Sequence, residues 1–350
     1  MSAVLVSPQL TPSAARARGV WAAAATRFRT DKVGMASLVI VVIFLLVVLA
    51  AALGLVAKDW QVERGVPDAP PTFVGPAEKT AAVAIAAPSG PNVDISAVDP
   101  LAPKYAEWAE AAKKYQTTEA ARATTLPFGG DRLGRDVLAK AIKGAQVSIL
   151  VGVAAAAVAT LIGTLLGAVA GFFGGKIGDF LEWVYNVFTA MPSILLIFAF
   201  AAVFPRGVGS VVMILGLAGW TGIYRLVRAE FIKHAVRDYV RSAEAIGAST
   251  ASRMFRHILP NVSHVVLVQL SIHVVGFIKS EVILSYLGLG VGVDQVSWGT
   301  MLADAQSELI LGHWWQLAAA TILMAVFVTA FSLMTDALRD ALDPKLRGLE

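Results

Sequence analysis

Two stretches of this chain carry no charged residue over more than the thickness of a lipid bilayer. Val33 to Ala57 lies uncharged between Lys32 and Lys58, and Gly144 to Gly175 is uncharged throughout. A helix rises about 1.5 Å per residue, so roughly 20 apolar residues cross a hydrocarbon core of about 30 Å. Lipid offers the backbone no hydrogen-bond partners, so runs of this length are read as helices and not as barrel strands. Trp183 to Pro205, Gly207 to Tyr224, Val265 to Gly292 and Trp314 to Thr335 supply four further candidates. The run from Val265 is the most polar, holding His273, Lys279 and Glu281. The fold class expected is an all-α membrane protein with about six transmembrane helices. Composition agrees, with 57% hydrophobic and 15% charged residues, where soluble domains have about 45–50% and about 25%. The absence of cysteine excludes disulfides, thiolate catalysis and cysteine metal sites.

Orientation follows from basic residues in short flanks. Arg27, Arg29 and Lys32 precede the first span and place the N-terminus in the cytoplasm; six spans return the C-terminus to the same side. The link between the fourth and fifth spans then also lies inside, and its Arg225, Arg228, Lys233, Arg237, Arg241, Arg253 and Arg256 agree with that. No cleavable signal peptide is expected, since no apolar core precedes Met35. The organisation expected is a cytoplasmic segment 1–32, a first span 33–57, a long external loop 58–143, a five-helix core 144–335 containing a cytoplasmic loop 225–264, and a cytoplasmic tail 336–350.

Within the external loop, the part through Pro100 is rich in Pro, Ala and Gly and reads as irregular. Tyr105 to Ala123 reads as a helix. Leu133, Val137, Leu138 and Ile142 fall near helical spacing, so Gly129 to Lys143 is either an amphipathic helix on the membrane surface or a packed lid. The loop between the fourth and fifth spans is more patterned. Asp238 can cap a helix starting at Tyr239, with Tyr239, Ala243 and Ile246 on one face. Gly247 falls where that helix should stop, because glycine takes the left-handed conformation cheaply. Ser249 can cap a second helix with Met254, Phe255, Ile258 and Leu259 on its apolar face. Pro260 restricts Leu259 and is expected to break the pattern before the fifth span. From pattern alone, this is either an amphipathic connector or a knob shaped for a partner's groove.

Several motifs carry a resemblance. Arg241-Ser242-Ala243 stands in the place of a Glu-Ala-Ala run, with Gly247 and Leu259-Pro260 following at the spacing of the EAA loop of ABC importer permeases. Arg241 departs from the usual glutamate. Gly129-Gly130-Asp131-Arg132-Leu133-Gly134-Arg135-Asp136-Val137 resembles the Gly-Thr-Asp-x-x-Gly-Arg-Asp-Val segment of the dipeptide/oligopeptide/nickel permeases of the second-subunit type. Leu284 to Val291 with Ser297 to Leu302, and Asp336 to Pro344, are similar to that family's fifth-span exit and tail.

The resemblance implies a type I ABC importer permease fold in the bacterial inner membrane. It implies a homologous permease as partner, two ATPase subunits and a periplasmic or lipid-anchored solute-binding protein. ATP and Mg would be bound by the ATPase subunits, with no cofactor on this chain, which would be a non-catalytic transport subunit. The cargo implied is a short peptide, or alternatively a nickel chelate or another small solute. ATPase coupling would fall on Tyr239, Arg241, Ser242, Ala243, Glu244, Ala245, Gly247, Ala248, Ser249, Leu259 and Pro260.

Other residues are weighed on chemistry alone. Lys279 and Glu281 lie at membrane depth, where a charge faces a cavity or partner; a spacing of two places them on different helical faces. They are candidates for a pathway or subunit interface, though a hydrogen-bonded structural role is favoured for Glu281. The five histidines form no cluster with metal-ligand spacing. Gly129, Gly130 and Gly134 lack the pattern of a phosphate loop. Gly163, Gly167, Gly171 and Gly174 recur at helical spacing, as in close helix packing. Trp314-Trp315 read as interfacial anchors. An intramembrane enzyme would need a catalytic dyad or metal cluster, and none stands out. A secondary carrier would show ionisable groups in several spans and an internal repeat; only the fifth span offers such groups.

Overall fold

The computed structural model describes residues 20–76, 99–113 and 122–342. The expectations for 1–19, for 77–98, for residues 114–121 of the 105–123 helix and for the tail beyond 342 lie outside the described residues; the helix does not reach Ala123, which bridges to Gly65. Twelve α-helices are described: α1 (Val20–Thr30), α2 (Lys32–Ala52), α3 (Tyr105–Lys113), α4 (Val137–Phe173), α5 (Gly175–Thr189), α6 (Ser193–Val203), α7 (Val208–Ala235), α8 (Asp238–Ala245), α9 (Thr250–Ser252), α10 (Leu259–Tyr286), α11 (Trp298–Ile310) and α12 (Trp315–Leu342). Among the described residues there are isolated bridges and no strand. Five helices are long and apolar enough to cross a membrane: α2, α4, α7, the continuous Thr250–Tyr286 rod that ends in α10, and α12.

The Trp183–Pro205 candidate is not one straight span. α5 and α6 meet at a bend of 86°. Pro192, extended at ψ 130°, caps α6; proline lacks the N–H that would continue the preceding helix. The first span is shorter than expected, since helix α2 ends at Ala52 and 53–57 form turns. The fourth is longer: α7 runs to Ala235, so Arg225, Arg228 and Lys233 sit on a helix and not in a loop.

Residues 129–143 do not form one amphipathic helix; the segment is packed against the α11–α12 turn. Gly129 to Asp136 is a turn-rich segment, and α4 begins at Val137, where the Asp136 carboxylate accepts from the Leu138 and Ala139 N–H groups. α4 then continues unbroken for 37 residues, roughly 55 Å at 1.5 Å per residue.

The core forms where α4 meets α7 and α10. Cβ atoms added at Gly163, Gly167 and Gly171 would lie 2.6, 2.7 and 2.5 Å from the Trp220, Tyr224 and Arg228 carbonyl oxygens of α7. The glycine stripe is therefore a helix-packing seam within the chain, as small residues permit. Gly174 falls off it: the residue caps α4 at φ +57°, and a Cβ there would meet nothing within 4 Å. Phe327 of α12 and Trp298 of α11 are fully buried beside one another.

Candidate functional site

Two segments at opposite ends of α4 hold the residues singled out by sequence. At its C-terminal end lies the 236–260 loop. α8 starts at Asp238, one residue earlier than expected, and Arg237 is its cap with no side-chain hydrogen bond. The helix ends in a Schellman turn: Ala248 N–H donates to the Ala243 carbonyl and Gly247 N–H to the Glu244 carbonyl, each at 2.9 Å. Gly247 has φ +90°, the left-handed geometry that such a turn requires. Ser249 caps the next helix by accepting from Ser252 N–H.

The buried face of α8 is Val240 and Ala243, not the Tyr239–Ala243–Ile246 face expected. Ile246 is 86% exposed. Tyr239 is half exposed, its hydroxyl 2.9 Å from His234 Nδ1, and partial burial pushes its phenol pKa up. Arg241, Ser242, Glu244, Ala245, Gly247 and Ser249 are exposed and Ala248 half-buried.

Pro260 does not break the chain. Arg253–Ile258 forms a π-helical turn in which Leu259 N–H reaches the Met254 carbonyl, and Leu259 is itself helical. Pro260 therefore falls in the first turn of α10, where a missing N–H costs little, and the rod continues to Tyr286. Met254 and Ile258 are buried with Val240 against Ala168, Val227 and Phe231, while Phe255 stays exposed.

At the other end of α4, residues 59–76 and 122–136 pack together over the α11–α12 turn. Asp131 is the hub. Its carboxylate accepts from Leu133 and Arg135 N–H, from Arg135 Nε at 2.7 Å and from Lys140 Nζ at 2.9 Å. Lys140, 2% exposed, also donates to Asp304 and Gln316. Burial pushes the Asp131 carboxyl up, but the Lys140 ammonium and the Arg135 and Lys140 hydrogen bonds outweigh it and hold the pKa below its usual value. Gly134, at φ +76°, lies where any Cβ would collide with the Gly65 carbonyl. Gly129 sits under the Trp315 ring, and Trp315 Nε1 donates to the Gly130 carbonyl. Trp315 is thus a core residue and not an interfacial anchor; Trp314 is the exposed member of the pair. Glu308 of α11 accepts from Arg132 N–H, and burial pushes its pKa up.

Glu281 and Lys279 are not brought together. Glu281 is fully buried, accepting from Ser148 and Ser285 hydroxyls, each at 2.6 Å. Ser148 in turn accepts from Trp298 N–H, so this carboxylate joins α4, α10 and α11. Lys279 is exposed on the opposite side of α10, along with Ile272, Gly276 and Ile283. Among the described residues no group of His, Asp or Glu side chains could hold a metal ion.

Sequence reasoning missed the Asp131–Lys140 hub and an ion pair inside the loop, Glu244–Arg253 at 2.6 Å. The signals were Asp131 and Arg135 four residues apart, and opposite charges on two short consecutive helices.

Residues 163–348 match the family described as "Binding-protein-dependent transport system inner membrane component". The oligopeptide transport system permease protein OppC of Bacillus subtilis is 33% identical over 67% of this chain and 78% of its own length. The dipeptide transport system permease protein DppC of the same organism is 36% identical over 63% and 69%. The OppC protein of Escherichia coli is 36% identical over 71% and 82%. With five membrane-length helices and a bent pair, the chain belongs to the family of inner-membrane components of binding-protein-dependent transport systems, as a multi-pass permease subunit of an ABC importer in the bacterial inner membrane.

Proposed function

We propose that this chain forms, with a homologous permease, the translocation pathway for short peptides, and that ATPase subunits docked at residues 238–260 drive it. Three relatives named for oligopeptide or dipeptide transport support the cargo. The observation that carries the docking reading is the knob itself. A glycine-capped helix pair, anchored by Val240, Ala243, Met254 and Ile258, leaves Ile246 86% exposed, and Arg237, Arg241 and Arg256 of the same loop are exposed as well. An exposed isoleucine on a projecting loop that also carries exposed basic groups suits a cleft on a soluble partner. The loop and both termini lie on the cytoplasmic side in this reading, and the Asp131 clasp faces the solute-binding protein.

ATP has to favour the closed ATPase pair for the permeases to change state, because a ligand shifts an equilibrium only by its differential affinity. Closure draws the two knobs together and opens the pathway outward. In this reading the chain is a non-catalytic subunit, and ATP and Mg are bound by the ATPase subunits. Lys279, exposed at the depth of the membrane on an unpartnered face of α10, lies at the pathway or permease–permease interface, since lipid does not accept an uncompensated ammonium.

Purification from native membranes with mass spectrometry tests this reading. Recovery of a second permease, ATPase subunits and a binding protein is expected, and recovery of the chain alone and monodisperse rejects it. The chain has no cysteine, so Ile246→Cys is a unique label, expected to crosslink to an ATPase subunit.

A further inference from the structure

The 236–260 loop is tied to the rest of the chain in three ways. One is covalent: the Arg253–Ile258 π turn runs on into α10. A second is apolar: Val240, Met254 and Ile258 pack against Ala168 of α4 and Val227 and Phe231 of α7. The third is a single polar side chain. Arg253 places its Nη1 2.6 Å from Glu244 Oε1 of α8, and its Cζ 5.4 Å from the centre of the Phe172 ring in the last turn of α4. One guanidinium therefore touches the knob, the π turn and the end of the 37-residue α4. α4 is keyed to α7 through Gly163, Gly167 and Gly171, so the two helices are closely packed along this seam.

We propose that Arg253 is a positioning residue that transmits displacement of the knob to the α4–α7 pair, through Glu244 on one side and Phe172 on the other; this rests on the reading of 238–260 as the ATPase-docking loop. Glu244 is 60% exposed, and ion pairs exposed to that degree contribute little to stability. Their geometric effect is a different matter. The planar guanidinium pairs with a carboxylate and lies over a ring at once, which a lysine ammonium does not reproduce. The Arg253 side chain is itself only 18% exposed, and its Nε is buried without a hydrogen-bond partner; Glu244, the ring and a long 3.5 Å hydrogen bond from Nη2 to Thr250 Oγ1 orient it. A π turn is a wider and less regular helix, suited to a joint. Without Arg253, only non-directional apolar contacts would link the knob to α4, and the π turn would take up part of its motion.

The test uses the whole importer in lipid nanodiscs, with ATP hydrolysis and peptide transfer measured together in reconstituted vesicles. Arg253→Ala and Glu244→Ala are each expected to leave assembly and melting temperature unchanged while ATP consumed per peptide rises about tenfold, within the usual range of coupling between sites. The exchanged pair Glu244→Arg with Arg253→Glu restores the ion pair but loses the guanidinium over the Phe172 ring, and is expected to stay uncoupled. A merely structural role would lower yield and melting temperature without changing that ratio. A wild-type ratio in Arg253→Ala overturns the proposal, and so does an exchanged pair that assembles and couples like the unsubstituted chain, since the Phe172 arm would then be dispensable. Should Arg253→Ala fail to assemble, the exchanged pair and Arg253→Lys decide the question, with Lys expected to couple less well than Arg. Crosslinking through Ile246→Cys separates the two readings. No crosslink in the otherwise unchanged chain sinks the docking reading, whereas a crosslink with intact coupling in Arg253→Ala sinks this inference alone.

Discussion

The two ends of α4 are built on opposite principles. At its N-terminal end, Asp131 and Lys140 are both buried, and every listener to that pair is a short, fixed contact: Arg135, Asp304, Gln316 and two backbone N–H groups. At its C-terminal end, the Glu244–Arg253 pair is largely open to water on the Glu244 side, and the knob tip carries an unburied isoleucine. Both ends use a left-handed glycine, yet Gly134 has backbone packed against it and Gly247 has open space. A site held on all sides resists displacement. A site held on one side by a small apolar face and one arginine can move as a unit and meet a partner.

The largest expected effect lies in the buried hub. Asp131→Ala leaves Lys140 buried with one carboxylate fewer, and breaking a buried pair in this way costs about 3–5 kcal/mol. A fall in detergent melting temperature or in folded yield is the readout; a melting temperature equal to that of the unsubstituted chain would remove the contrast between the ends. The hub also has a pH signature. The folded-state pKa of Asp131 is lowered, so its contribution is present above the unfolded value, about pH 4, and disappears as pH falls through the lower folded value.

The glycines give the next effect and the sharpest comparison. Asparagine accepts the left-handed region better than other residues with a Cβ. Gly134→Asn is expected to abolish folded yield, because the collision with the Gly65 carbonyl remains. Gly247→Asn is expected to fold and transport, since nothing lies within 4 Å. Gly247→Val carries the conformational cost alone, about 1–2 kcal/mol, and is expected to raise ATP use per peptide with assembly intact. Normal transport with unchanged ATPase stimulation in that variant would detach the turn from coupling.

Glu308→Gln is the smallest change. The Glu308 folded-state pKa is raised, so the stability it contributes is complete below the unfolded value, about pH 4.3, and is lost as pH rises through the folded value. The amide retains an acceptor for Arg132 N–H. A slightly higher melting temperature at pH 7 is expected, with no difference near pH 4; a lower one at pH 7 would show that the ionised carboxylate strengthens the clasp.

Much of this was legible in the chain. The membrane helices follow from uncharged runs, because lipid leaves the backbone no alternative to its own hydrogen bonds. The stop at Gly247 and the cap at Ser249 follow from local chemistry of the turn. The structural bias for Glu281 followed from the cost of a charge at that depth, although its serine partners could not be named.

What only the tertiary structure decided are contacts between distant residues and compensations between near ones. Lys140 meets Gln316 across 176 positions, and this turned an expected surface helix into the buried start of α4. Trp315 became core because Gly129 and Gly130 came to lie against it. Pro260 failed to end the helix because the π turn before it supplied the room that a proline needs, a choice made by the burial of Met254 and Ile258 against α4 and α7. Periodicity and propensity are local energies of a fraction of a kcal/mol to about 1 kcal/mol per residue, and burying an apolar side chain is worth about 1.5–3 kcal/mol. Where the two disagreed, packing set the outcome.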